Sequence, residues 1–121
     1  MSVRLTKVAK RAGCAAKHPP GTLLPLLQRL PVVTDPNVIV GSSTADDAAV
    51  YRISDDTALV LTTDFFTPVV DAAYDFGSVA AANALSDVYA MGGRPLTALA
   101  IAGFPQKGLD RDVIAAVFRG G

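Results

Sequence analysis

With 121 residues, 50% of them hydrophobic and 18% charged, the chain is long enough for one domain with a core and too apolar to be disordered. Eleven basic residues balance eleven acidic ones, so no net field draws the protein to nucleic acid or to an anionic membrane surface. Cys14 is the only cysteine and cannot form an intrachain disulfide, and nothing reads as a signal peptide or a transmembrane span of about 20 apolar residues, so a reducing, cytoplasmic setting is expected.

The first residues are basic and small, with Lys7, Lys10, Arg11 and Lys17 around Gly13-Cys14-Ala15-Ala16, and close at Pro19-Pro20-Gly21. No apolar period runs through them, so residues 1–21 are expected to form a mobile arm and residues 22–121 the ordered body. Thr22 can cap a short helix reaching about Leu30, with Pro25 in its first turn and Pro31 as its stop. Val38–Val40, Ala48–Ile53 and Ala58–Thr63 read as short strands, the last two joined by a polar turn at Ser54-Asp55-Asp56, which predicts an antiparallel start to a sheet.

From Asp75, an N-cap candidate, apolar spacing at Phe76, Ala80, Ala84, Val88 and Met91 predicts a helix that Gly92-Gly93 ends. Leu96–Ala102 reads as a further strand, and Asp110 can cap a last helix beginning at Arg111. The chain stops at Gly121 with no polar tail and an unclosed sheet, so it is expected to be a piece of a longer one. The fold class that follows is α+β, an antiparallel or mixed sheet covered by helices.

Three aspartates interrupt apolar runs: Asp47 before Ala48-Ala49-Val50, Asp64 between Leu59–Thr63 and Phe65-Phe66, and Asp87 on the long helix beside Ser86 and four residues after Asn83. A buried carboxylate is tolerated only with a compensating cation or hydrogen bonds, and Mg²⁺ takes one or two protein carboxylates while water and phosphate oxygens fill its other sites. The plainer readings are a solvated helix face, an Asx turn at Asp64 and a polar loop at Asp46-Asp47. In an extended segment Asp46 and Asp47 face opposite ways, leaving Asp47 as the metal candidate, whereas Asp46 with Thr44 and the Ala45 main chain can meet the sugar or phosphates of a nucleotide.

Neither G-x-x-x-x-G-K-[ST] nor G-x-G-x-x-G occurs, so a nucleotide would be held through metal-bridged carboxylates. Lys17, Arg11 and Lys10 favour the thiolate of Cys14, and Lys17 can meet a phosphate as a point charge; an incidental surface thiol is the alternative. His18 precedes Pro19 and is assigned no role.

The ordered series Gly13-Cys14-Ala15-Ala16-Lys17, Asp46-Asp47-Ala48-Ala49-Val50, Thr62-Thr63-Asp64-Phe65-Phe66 and Asn83-Ala84-Leu85-Ser86-Asp87 through Gly92-Gly93 resembles the N-terminal part of the selenophosphate synthetase (selenide, water dikinase) family. The resemblance implies the fold shared with aminoimidazole ribonucleotide synthetase. It also implies ATP- and Mg²⁺-dependent formation of selenophosphate from selenide, with release of AMP and orthophosphate, in a homodimer that pairs sheets across its two-fold. By motif, Cys14 matches the cysteine or selenocysteine position and Lys17 the catalytic lysine. Asp47 and Asp87 match metal ligands, Asp87 lying beside the nucleotide as well, and Lys17, Thr44, Ala45, Asp46 and Asp64 match nucleotide-binding positions.

Two departures from the family bear on this. Ala16 stands where many members carry a second cysteine, which excludes a local dithiol. A further metal-binding aspartate, a glycine-rich nucleotide segment and a C-terminal domain would lie beyond Gly121, so this piece is not expected to complete the reaction alone. A thiamine-monophosphate-kinase-like or hydrogenase-maturation enzyme of the same fold is the nearest rival, and a non-enzymatic dimerisation module is the rival of another class.

Overall fold

The computed structural model describes residues 4–8, 20–44 and 46–121. The elements run α1 (Leu5–Val8), α2 (Pro20–Leu27), β1 (Val38–Val40), β2 (Ala49–Arg52), β3 (Ala58–Leu61), α3 (Ala73–Ala90) and α4 (Arg111–Gly120). The α+β class and its antiparallel sheet are as expected, in the order β1-β2-β3. The chain gathers into two compact units. One comprises the described N-terminal residues with Phe65–Asn83 and Thr97–Gly121; the other runs up to Asp64 and takes in Ala84–Leu96.

In the sheet-bearing unit, β2 pairs β3 through Ala49↔Leu61, Val50↔Val60, Tyr51↔Leu59 and Arg52↔Ala58. β1 pairs β2 through Val38↔Tyr51 and Val40↔Val50, with a shift of register between them. The β2–β3 turn is closed from both sides: Ile53 and Ser54 donate their N–H groups to the Thr57 carbonyl, at 2.9 and 3.1 Å. The Ser54 and Thr57 hydroxyls both donate to Asp56 Oδ1, at 2.6 and 2.9 Å. Acidic and hydroxyl residues form a turn here because the side chain supplies the acceptor that a ladder would otherwise provide.

Helix α3 ends as Gly92-Gly93 predicts. Gly92 sits at φ 72°, a left-handed conformation open to glycine at little cost. Its N–H donates to Tyr89 O and that of Gly93 to Val88 O, both at 2.9 Å, which satisfies the last carbonyls in a Schellman arrangement. Gly93 also permits close packing: a Cβ there would lie 3.0 Å from Val88 Cγ1 and 3.1 Å from Val60 Cγ2. The end of α3 therefore rests on β3.

In the other unit, α3 and α4 cross at two glycines. A Cβ on Gly77 would collide with the Val117 carbonyl oxygen and one on Gly120 with that of Tyr74. The Ser78 hydroxyl donates to Gly120 O at 2.9 Å across this crossing. Phe66 meets Phe76, and Phe104 meets Phe118, edge to face with centroids 5.9 and 6.0 Å apart.

Several expectations need correction. Helix α2 begins at Pro20, so Thr22 lies inside it rather than capping it, and Pro25 falls in its sixth position instead of its first turn. Helix α3 begins at Ala73, with Phe76 N–H donating to Ala72 O, so Asp75 is a first-turn residue and not the cap. Asp110, by contrast, is the N-cap of α4 as expected: it is extended and its carbonyl accepts from Val113 and Ile114, though its side chain makes no capping bond.

Leu96–Ala102 joins no ladder; Leu96, Leu99 and Ile101 are 73, 93 and 70% exposed. A strand needs a partner for its backbone as well as an apolar pattern, and no described strand takes that role. Of the expected arm, Arg4–Val8 is fastened: Leu5 is buried, and Asp71 accepts from Arg4 and from Thr6. Among the described residues no helix is long and apolar enough to cross a membrane.

Candidate active site at one end of the sheet

The antiparallel register decides which residues can meet. Because Ala49 pairs with Leu61 and Val50 with Val40, the entry to β2 and the exits of β1 and β3 lie at the same end of the sheet. That end carries Thr44, Asp46 and Asp47 on the way into β2 and Thr62, Thr63 and Asp64 on the way out of β3. All of them, with Asp87 of α3, belong to the sheet-bearing unit.

Asp87 is joined to this end by one side chain. The Thr62 hydroxyl donates to Asp87 Oδ2 at 2.8 Å, and Thr62 Oγ1 also lies 3.4 Å from the main-chain carbonyl of Asp47. Two of the three aspartates singled out in the sequence thus meet the same threonine. Asp87, Thr62 and Asp64 are half-buried, and Thr63 between the last two is exposed. That alternation sets Thr62 and Asp64 on one side of an extended segment.

Asp46 and Asp47 are both exposed, which corrects the expectation of one facing inward. The chain bends at Asp47 and Ala48, so strand alternation does not yet apply, and the buried residue at this point is Ala48. Thr44 is exposed in the turn after β1, its hydroxyl donating to Gly41 O at 3.3 Å. Cys14, Lys17 and Ala45 lie outside the described residues.

Among the described residues, no group of three His, Cys, Asp or Glu side chains comes close enough to hold an ion, so the three aspartates do not form a preassembled cage. The donor chemistry still suits Mg²⁺: the carboxylates of Asp47 and Asp87 with the Asp47 carbonyl are all hard oxygens, and this ion takes one or two carboxylates and completes its shell with water and phosphate. A cavity of about 350 Å³ lies between α2 and β1 and reaches Thr44, but none of the aspartates lines it. It meets the candidate site only at Thr44.

Thr62 is the residue that sequence reasoning passed over. A threonine at a strand end is explained by β propensity alone, and the available signal was its position two residues before Asp64, on the same side of an extended run.

The profile of the family described as AIR synthase related protein, N-terminal domain, matches residues 45–121, well over half of the chain. The chain belongs to that family. This AIR-synthase-related domain is also similar to proteins named selenide, water dikinase. It is 57% identical over 120 residues to the one from Carboxydothermus hydrogenoformans, covering 99% of this chain and 35% of that relative. It is 57% identical over 121 residues to the one from Paraburkholderia xenovorans and 57% over 120 residues to the one from Pelobacter propionicus, covering 99% of this chain and 34% of each. The domain spans about a third of the length of these relatives. The family match takes in Asp46, Asp47, Asp64 and Asp87, and the longer alignments extend over the Cys14–Lys17 arm as well.

Proposed function

We propose that the chain is the nucleotide- and metal-holding N-terminal part of an enzyme that forms selenophosphate from selenide and ATP, releasing AMP and orthophosphate. The observation that carries this reading is the Thr62 hydroxyl, which meets Asp87 Oδ2 at 2.8 Å and the Asp47 carbonyl at 3.4 Å, so the two expected metal ligands share one neighbour. The likeness to the dikinases over 99% of the chain supports the choice of acceptor.

Asp47 and Asp87 would hold Mg²⁺, which when bound neutralises the charge of the polyphosphate and orients its oxygens. Thr44, the Ala45 main chain, Asp46 and Asp64 would bind the nucleotide. Lys17 would carry positive charge to the transferring phosphoryl group, where stabilisation of developing charge lowers the barrier most. Cys14 would handle selenium. One phosphoryl group passes to selenide and a second leaves as orthophosphate with water as its acceptor, which accounts for AMP as the product.

The rival kinases of the same fold would share the aspartates. The arm Gly13–Lys17 distinguishes the selenium reading, since the relatives' alignments extend over it. Phosphorus NMR of the full-length protein with ATP and selenide tests this directly: a selenophosphate resonance with AMP is expected, and ATP consumption without it would overturn the assignment. Asp87→Ala is expected to lower ATP turnover by more than the roughly 10–100-fold typical of losing a residue behind a metal ligand. Cys14→Ser should keep Mg-ATP binding and lose selenophosphate formation; loss of both together would refute the division of labour.

The reading extends to a cytoplasmic homodimer. Its support is the apolar surface left open: Leu59 and Leu61 on the sheet are 39 and 55% exposed, and Leu99 is 93% exposed.

A further inference from the structure

We infer that Thr62 is a positioning residue whose hydroxyl fixes the Asp87 carboxylate for the cation; this rests on the metal-binding reading of Asp87 given above. Asp87 projects from the last turn of α3, where its side chain has several rotamers open to it, and a hydroxyl 2.8 Å from Oδ2 selects among them. Because an ionised carboxylate only accepts, the proton in this bond is that of Thr62. The hydroxyl has one proton, and the shorter distance assigns it to Asp87 rather than to the Asp47 carbonyl at 3.4 Å.

One acceptor position of Oδ2 is thereby used, out of about four that a carboxylate offers, so the group remains able to ligate an ion. The hydroxyl itself is held in place from behind. Thr62 directly follows β3, where Val60 pairs with Val50 on the strand beside it and, like Val88 one residue after Asp87, lies against Gly93. A branched side chain at that place has few χ1 choices, so the hydroxyl is presented with little loss of freedom. A carboxylate oriented in this way binds metal more tightly than a freely rotating one. Loss of such a supporting partner costs about 10–100-fold in metal affinity.

The test measures Mn²⁺ binding, as a probe for Mg²⁺, by electron paramagnetic resonance in the full-length protein and its Thr62→Val, Thr62→Ser and Asp87→Asn variants, with melting temperature followed in each. Thr62→Val preserves shape and removes the donor. It is expected to weaken Mn²⁺ binding about 10–100-fold at an unchanged melting temperature. Thr62→Ser should restore most of the affinity, and Thr62→Val should add nothing in the Asp87→Asn background. Wild-type affinity in Thr62→Val, or no rescue by Thr62→Ser, overturns the positioning role while a loss in Asp87→Asn leaves the metal site standing. If Asp87→Asn also binds like wild type, the metal reading falls and the inference with it.

Discussion

Asp71 gathers three donors around one carboxylate. The Thr6 hydroxyl donates to Oδ1 at 2.7 Å, the Thr6 N–H to the same oxygen at 2.9 Å, and Arg4 Nε to Oδ2 at 2.9 Å. The Thr6 hydroxyl, then the Thr6 N–H and Arg4, favour the charged form and hold the pKa at about 2. A carboxyl whose folded pKa lies below its unfolded value, about 3.9, stabilises the folded arrangement above pH 4 and loses that contribution as the pH falls to about 2. In a proton NMR titration the Thr6 amide should therefore shift with a midpoint near 2, and a midpoint near 4 would contradict the arrangement. Asp71→Ala should abolish that titration and expose Leu5, now buried, to solvent. Nothing in the sequence marks Asp71 in this way, because its partners stand 65 and 67 residues earlier and belong to a segment with no apolar period. Asp47, Asp64 and Asp87 stand out in the sequence as candidates because each follows or interrupts an apolar run, a contrast that needs no knowledge of the fold.

At the scale of elements, local chemistry was readable wherever it closed on itself. The three short strands fall within one or two residues of their expected bounds, since a period of two and an acidic turn specify a hairpin without distant help. The end of α3 is also local, as Gly92 alone can take the left-handed conformation cheaply. What failed was anything requiring a second element. Leu96–Ala102 has the composition of a strand but no described ladder, and the N-cap candidate at Asp75 lost its place to Ala72, whose carbonyl takes the Phe76 N–H. The glycine crossing of α3 and α4 was equally hidden, because Gly77 reads in sequence only as a weak helix former. Gly77→Ala should destabilise the fold by about 1–3 kcal/mol despite its better helix propensity, because the new methyl meets the Val117 carbonyl. Chemical denaturation measures this, and a variant as stable as the wild type would show that the helices do not approach so closely.

On the scale of the whole molecule, half of the residues are hydrophobic, yet the only apolar side chains buried among the described residues are Leu5 and Ala48. Others are half-buried, and Leu61, Leu96, Leu99 and Ile101 face outward. A chain that leaves this much apolar surface uncovered has a strong drive to associate. In the dimer reading, sedimentation of the full-length protein should show a dimer, and Leu61→Lys together with Leu99→Lys should give a monomer. A wild-type monomer at micromolar concentration would remove that reading.

This open surface also sets how the chain responds to its solvent. Formal charges cancel and the isoelectric point is near 6.5, so at neutral pH little like-charge repulsion holds molecules apart. Apolar contact is driven by entropy near room temperature and fades on cooling, while excluded salts such as sulfate strengthen it. In the dimer reading, association of this chain is expected to tighten with warmth and ammonium sulfate and to loosen in the cold.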